Sequence, residues 1–461
     1  MGNRLERALG PIPSAALLAG TVIGTGIFLV PSTMARETGS VGGVFIIWIF
    51  GALLSLCGAL SYAELGASLP HAGGEYAFLR KSYGPILGFL FGWQQIMIGK
   101  TGSIAAIGLA SSLFLSYLIK GLDQDVIHIG THGISGTQLV AMMWIGLLTL
   151  PNLLGIAEGG MLQSFLTLLK LAAIFLLIVL ALSSEVGDWS RLEETPLRIE
   201  KERPDYWSRW GAALAAALWA YDGWNNLTLV SGEIRNPEKI IPRVLILGIL
   251  SVAGLYILTN LAYFYILPLA SIQKSAHVAQ DMAFALLGEK GARLLTLAAV
   301  LSTLAALNGA ILAGARVFYA MARDGLLFRG LSKLHPHHHT PRRALVVQCA
   351  LAMCLVLTLG HDRAAFERVL DYALFGTWAF YGLSAFAVIR LRIRYPELPR
   401  PFRTPGYPVI PLLFSLVALS FCANIAFRRP HETLMGFLLL AAGVPLFFLF
   451  NRDQNRRREL P

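Results

Sequence analysis

Twelve apolar runs divide the chain, at about 12–35, 41–67, 85–119, 137–154, 160–183, 207–232, 242–268, 293–322, 342–360, 367–391, 407–427 and 432–450. A helix needs about 20 apolar residues to cross a bilayer, so the pattern predicts an all-α polytopic membrane protein of twelve transmembrane helices. Runs longer than that imply tilt, or ends that project beyond the hydrocarbon. The gaps between runs alternate in charge. Arg323, Arg329, Lys333, Arg342 and Arg343 fill one, Arg390, Arg392, Arg394, Arg400 and Arg403 surround another, and Arg452, Arg456, Arg457 and Arg458 close the tail. Gaps of opposite parity are acidic or mixed, with Asp123 and Asp125 in one and Glu185, Asp188, Glu193, Glu194, Glu200, Glu202 and Asp205 in another. An even number of spans with both termini cytoplasmic satisfies the positive-inside rule. No gap exceeds roughly 25 residues, so a single transmembrane domain, 1–461, is expected.

Composition agrees. The 461 residues are 55% hydrophobic and only 14% charged, with a mean hydropathy of +0.61, well beyond what a soluble core requires. The net charge of +11 could suggest nucleic acid, but the basic residues concentrate in alternate loops, which assigns them to topology instead. No cleavable signal peptide is expected, because the run after Arg4, Glu6 and Arg7 is too long and lacks a small-residue cleavage site. Cys57, Cys349, Cys354 and Cys422 all fall within apolar runs and are expected as free thiols. His335-Pro336-His337-His338-His339 reads as a polar interfacial loop, since a metal site needs ligands converging from a fixed scaffold. Neither a metal nor a cofactor is expected.

Two runs are flawed as helices. In the first, Gly20, Gly24 and Gly26 crowd the stretch Thr21-Val22-Ile23-Gly24-Thr25-Gly26-Ile27-Phe28, and each glycine weakens a helix interior by roughly 1 kcal/mol. A break in hydrocarbon exposes unpaired backbone groups and is tolerable only where it lines a polar cavity. The alternative is close helix packing through Gly20-x-x-x-Gly24. In the sixth run, Trp219-Ala220-Tyr221-Asp222-Gly223-Trp224-Asn225-Asn226 sets a carboxylate beside a glycine in mid-membrane, where ionisable groups face a cavity or a polar partner. Asp222 could instead cap the helix that resumes after it, which still concedes a break. Two interrupted spans in corresponding places predict an inverted repeat, 12–183 and 207–391, with 407–450 outside it and the site at the midplane.

Lys170 in the fifth run and Lys100 in the third are isolated intramembrane cations. Either could snorkel to the interface or serve a functional or pairing role.

Gly24-Thr25-Gly26-Ile27-Phe28, Ala220-Tyr221-Asp222-Gly223-Trp224-Asn225, Glu233-Ile234-Arg235-Asn236-Pro237, Leu69-Pro70-His71-Ala72-Gly73-Gly74-Glu75-Tyr76 and Arg394-Tyr395-Pro396-Glu397-Leu398 together resemble the L-amino-acid transporter branch of the amino acid–polyamine–organocation superfamily, in its bacterial form. The resemblance runs along the whole chain. It implies a five-plus-five inverted repeat with two extra helices, alternating access, and sodium-independent amino acid transport, often by obligatory exchange. It also implies that Gly24, Thr25 and Gly26 hold the substrate carboxylate, as a half-helix N-terminus can. By the same resemblance, carbonyls near Val22, Ile23, Trp219 and Asp222, in the stretch with Ala220 and Gly223, meet the α-ammonium, and Trp219 closes over the substrate. Thr377 and Trp378 match side-chain-pocket positions. Lys170 matches a lysine that replaces a sodium ion, reaching carbonyls at Ala19 to Val22 and a hydroxyl at Ser302 or Thr303. Animal members pair with a heavy chain through a cysteine after span 3. The stretch Lys120 to Thr137 has none, so no heavy-chain subunit is expected.

The expected activity is therefore broad neutral L-amino acid transport across the plasma (inner) membrane. A dibasic permease and a proton-coupled symporter are the nearest alternatives. Lys100, if it faces the pocket, disfavours a cationic side chain. A non-transporting sensor would need an output domain, and the segment after Phe450 is short and charged. No paired catalytic acids, Ser–His pair or His-Glu-x-x-His helix suggests an enzyme.

Overall fold

The computed structural model describes residues 5–129, 132–194, 206–360 and 363–458. Glu200, Glu202 and Asp205 lie outside the described residues, as do the side chains of Arg452, Arg456, Arg457 and Arg458. The chain folds as α1 (Pro11–Val22), α2 (Gly26–Thr38), α3 (Val41–Ser68), α4 (Glu75–Tyr83), α5 (Pro85–Gln94), α6 (Lys100–Ser116), α7 (Gly136–Leu154), α8 (Ile156–Leu182) and α9 (Tyr206–Ala220). It continues as α10 (Asn226–Leu229), α11 (Pro237–Ile266), α12 (Leu269–Lys274), α13 (Val278–Arg323), α14 (Arg342–Leu359), α15 (Arg363–Arg394), α16 (Val409–Arg428) and α17 (Pro430–Arg458). Among the described residues, ten helices are long and apolar enough to cross a membrane, and the α1–α2 pair, bent by 42°, makes an eleventh crossing. The expected sixth span is the irregular one: α9 has 15 residues and α10 only four, so neither half would cross alone.

Three elements escaped the hydropathy pattern. The loop after α6 carries an antiparallel hairpin, β1 (Asp125–Ile129) with β2 (His132–Ser135). Helix α13 begins 15 residues before the expected run, its first segment set off by Gly288 at φ +63. Between α5 and α6 the helix widens into a π-turn, Gln95–Gly99, closed by Lys100 N–H donating to Gln95 O five residues back, with the Thr101 hydroxyl donating beside it to Ile96 O (2.8 Å). Such a turn re-aims the side chains that follow it, Lys100 first.

Helix α8 shows how the membrane inverts the usual amphipathic logic. Met161, Phe165, Leu168, Phe175 and Leu176 point outward, while Gln163, Thr167 and Lys170 are buried at spacings of four and three. That inner stripe meets α1, where Gln163 Nε2 and Thr167 Oγ1 both donate to Ala16 O. Gly20 lies directly against it, since a Cβ there would meet Thr167 Oγ1 at 2.6 Å. Close packing therefore accounts for Gly20, and the break begins only after Val22. Helix α13 is the hub of the bundle, its apolar stretch 78% buried, whereas α17 is only 17% buried at the periphery.

The face carrying both chain ends is heavily tied. Leu9 pairs with Ile234 as an isolated parallel bridge, with Leu9 N–H on Glu233 O and Arg235 N–H on Leu9 O (both 2.9 Å). Arg316 grips Glu233 with two bonds, 2.7 and 3.0 Å, both side chains 1% exposed. Arg392 grips Glu64 in the same way (2.8 and 2.6 Å), and Arg80 and Tyr76 both reach Asp324. Some basic residues that topology explained are thus structural ion-pair partners as well. The four cysteines are free.

Candidate substrate site between two broken helices

The backbone leaves α1 at Ile23 (φ −78, ψ 79), and Gly24 N–H turns back onto Val22 O at 2.8 Å. Helical bonding restarts with Phe28 N–H on Thr25 O, so the N–H groups of Thr25, Gly26 and Ile27 have no backbone acceptor among the described residues. These are the first donors of α2, with the partial positive charge of a helix N-terminus behind them. Of the three residues expected around the carboxylate, Gly24 has its N–H engaged, while Thr25 and Gly26, with Ile27 after them, have theirs free of backbone acceptors.

The second break spans Tyr221 to Asn225. Gly223 sits at φ +111, and a Cβ there would stand 2.9 Å from Thr21 O, so conformation and close approach both require glycine. Thr21 Oγ1 donates to Gly223 O (3.0 Å), joining the two breaks. Tyr256 on α11 ties them again, its hydroxyl lying 3.0 Å from both Val22 O and Ala220 O. The carbonyls of Tyr221 and Asp222 accept no hydrogen bond among the described residues. Gly24, Thr25, Asp222 and Gly223 are partly exposed, Trp219 is 45% exposed, and Trp224 and Asn225 are buried. The gap therefore opens away from the tied face.

Lys170, 1% exposed, aims its ammonium at Gly20 O (2.8 Å), Ile23 O (2.5 Å) and Ser302 O (3.1 Å). The contact on α13 is a carbonyl and not the expected hydroxyl. Ser302 Oγ donates to Ile23 O (3.2 Å), while Thr303 Oγ1, among the described residues, bonds within its own helix, to Ala299 O and Val300 O. Ile23 O is thereby occupied twice, whereas the carbonyls of Thr21 and Gly24, like those of Tyr221 and Asp222, accept no hydrogen bond among the described residues.

Asp222 accepts from Tyr381 on α15 at 2.8 Å. Thr377 accepts from Gln94 Nε2 (3.2 Å). Trp378 departs from its expected place: it is 4% exposed and packs its ring 4.5 Å from Phe421 on α16. Tyr381, one turn further along α15, reaches the break instead. Trp219, the last residue but one of α9, is 45% exposed. Lys100 Nζ donates to Asn226 Oδ1 (2.5 Å), on the far side of the second break. Sequence reasoning missed Tyr256 and Tyr381, for which a tyrosine near the middle of an apolar run was the only signal.

A tied bundle with two interrupted helices facing each other at mid-depth defines a class, the broken-helix membrane transporters, whose sites lie where the half-helices meet. The sequence model of the family described as amino acid permease matches residues 9–448. The chain is 31% identical over 450 residues to the human cystine/glutamate transporter, covering 97% of this chain and 86% of that one. It is 30% identical over 449 residues to the serine/threonine exchanger SteT of Bacillus subtilis, covering 97% of each. Human b(0,+)-type amino acid transporter 1 is 30% identical over 455 residues, covering 97% and 88%. The chain belongs to the amino acid permease family, and its function is amino acid transport across a membrane.

Proposed function

We propose that the protein is a sodium-independent exchanger or facilitator of L-amino acids, broad and neutral in preference, working by alternating access in the plasma (inner) membrane with both termini cytoplasmic. The observation that carries this is the Lys170 ammonium, seated among three carbonyls where a helix break leaves oxygen ligands. In broken-helix transporters unwound carbonyls coordinate the coupling cation. Here a covalently attached cation fills that role, so no sodium need enter or leave. The substrate carboxylate takes the free N–H groups of Thr25, Gly26 and Ile27. Its α-ammonium takes the open carbonyls of Tyr221 and Asp222. The bent α1–α2 pair and the α9–α10 pair are the first members of two inverted repeats, 12–183 and 207–391, which brings the crossings to twelve.

The named relatives span cystine and glutamate, serine and threonine, and the b(0,+) amino acid type. Asp222 is the feature that favours a dibasic substrate. Lys100 would weigh against one if it faced the pocket, but its ammonium is turned to Asn226 on the far side of the break. The stretch from Lys120 to Thr137 contains no cysteine, so the protein works without a disulfide-linked heavy chain, and it is a carrier without catalytic chemistry.

The test is uptake of labelled leucine, serine, glutamate and arginine into liposomes preloaded with each, with sodium or choline outside. Trans-stimulated uptake of leucine and serine, unchanged by sodium, is expected. A requirement for sodium, or uptake of arginine alone, would overturn the assignment.

A further inference from the structure

Glu75 opens α4 directly after two glycines that are held against α10. Gly73 N–H donates to Leu229 O (2.9 Å), and a Cβ on Gly74 would lie 2.7 Å from Thr228 Oγ1. This docking drives the Glu75 side chain inward, where it is 0% exposed. Its Oε1 accepts from Asn225 Nδ2 at 2.7 Å. The two remaining oxygens of the pair, Glu75 Oε2 and Asn225 Oδ1, are both buried and both without a donor.

Both orphans are acceptors, and buried acceptors need donors. An ionised carboxylate has none to give. A carboxylic acid has one O–H, and an amide has both a donor edge and an acceptor edge. One proton on Oε2 therefore satisfies two orphans together: the acid donates to Asn225 Oδ1 while the amide donates to Glu75 Oε1, closing an acid–amide ring. We propose that Glu75 is a proton-binding site that is occupied in this conformation, and that the resulting acid–amide pair with Asn225 latches the 69–75 loop onto the second helix break until the tied face opens.

The surrounding charges fit a bound proton. Asp222 and Lys100 both act electrostatically on Glu75, with the Tyr62 and Tyr381 hydroxyls also near. Two carboxylates face one ammonium, an excess of one negative charge that a single proton removes. Burial pushes the Glu75 carboxyl up to about 7, with the Asn225 hydrogen bond and then Lys100 opposing that rise. When α10 and the loop separate, water reaches Oε2, the carboxyl returns toward its ordinary value near 4.3, and the O–H proton passes to water. The latch is thus complete below the ordinary carboxyl value and is lost as pH rises through about 7.

Only the release step rests on transport, and the bound proton can be read without it. Infrared difference spectra of the purified protein in liposomes should show a protonated-carboxyl carbonyl band that disappears as pH rises through about 7 and is missing from E75Q. Glutamine can close the same ring, with Nε2 donating and Oε1 accepting, but cannot titrate. Wild-type exchange should change with pH over that range, and E75Q should continue to exchange without that change. In N225D two carboxylates must share the proton, so the band should persist to a pH at least about one unit higher. A band unchanged in E75Q, or a wild-type pH profile in E75Q, overturns the proposal. An unshifted band in N225D does so even if E75Q fails to fold.

Discussion

The Cβ that Gly26 lacks would stand 2.8 Å from Cα of Ala220, so the two half-helices meet backbone against backbone. Gly26→Val should therefore part the breaks as well as fill the gap, and binding measured by scintillation proximity in detergent should be lost. Thr25→Ala is gentler, removing one hydroxyl next to the free N–H groups. It should weaken affinity by roughly 1.5–3 kcal/mol, the value of a hydrogen bond to a charged group. Unaltered transport in Gly26→Val would place the substrate elsewhere.

Lys170→Ala removes the donor shared by Gly20 O, Ile23 O and Ser302 O. Substrate should still bind the solubilised mutant, while exchange in liposomes becomes slow because α1, α8 and α13 lose their common tie. Added sodium should not restore the rate, since the three carbonyls left behind are an incomplete oxygen shell for a hard cation and alanine adds no ligand to them. Wild-type exchange from both sides would reduce Lys170 to a packing residue.

Asp222 is poised beside the open carbonyls and held by Tyr381. Asp222→Asn should lower the ratio of cationic to neutral uptake, and Tyr381→Phe should shift it the same way by less, because the charge remains. If both ratios match wild type in a competition assay, Asp222 acts only as a helix cap.

Ion pairs on the tied face should differ sharply in worth. Arg316 and Glu233 are each 1% exposed, so Arg316→Ala leaves a buried carboxylate uncompensated and should cost about 3–5 kcal/mol. Arg80 is 42% exposed beside Asp324, and Arg80→Ala should cost at most about 1 kcal/mol. Denaturant unfolding in one detergent would compare them, and equal losses would mean that burial does not govern these pairs.

Single cysteines at Asp188 and Arg329, both exposed, should react with an impermeant maleimide from opposite sides of the membrane. Labelling from one side alone would refute the parity of the crossings.

The sequence was most legible where chemistry opposed the membrane. Glycines in an apolar run, a carboxylate beside a glycine and a lone lysine each carry a cost in hydrocarbon, and Gly24, Asp222 and Lys170 all sit at or against the breaks. It was least legible where an apolar residue and a site residue look alike. Trp378 and Tyr381 are both aromatic and three residues apart, and only packing reveals that the first turns to α16 and the second to Asp222. The π-turn at Gln95–Gly99 leaves no mark in hydropathy, since one widened turn changes the direction of side chains without changing their character. The hairpin after α6 was hidden for a different reason: its strands are short, and a two-stranded ribbon gives little periodicity.

Tyr256 belongs to neither break, yet its single hydroxyl reaches the last carbonyls of both α1 and α9. The consequence is mechanical. A shared fastening makes the two half-helix ends tilt as one piece, so force applied to either is carried to the other without spreading the gap. On the proposed function, the width of the gap is then set by the scaffold, and selectivity among substrate side chains falls to the walls beyond.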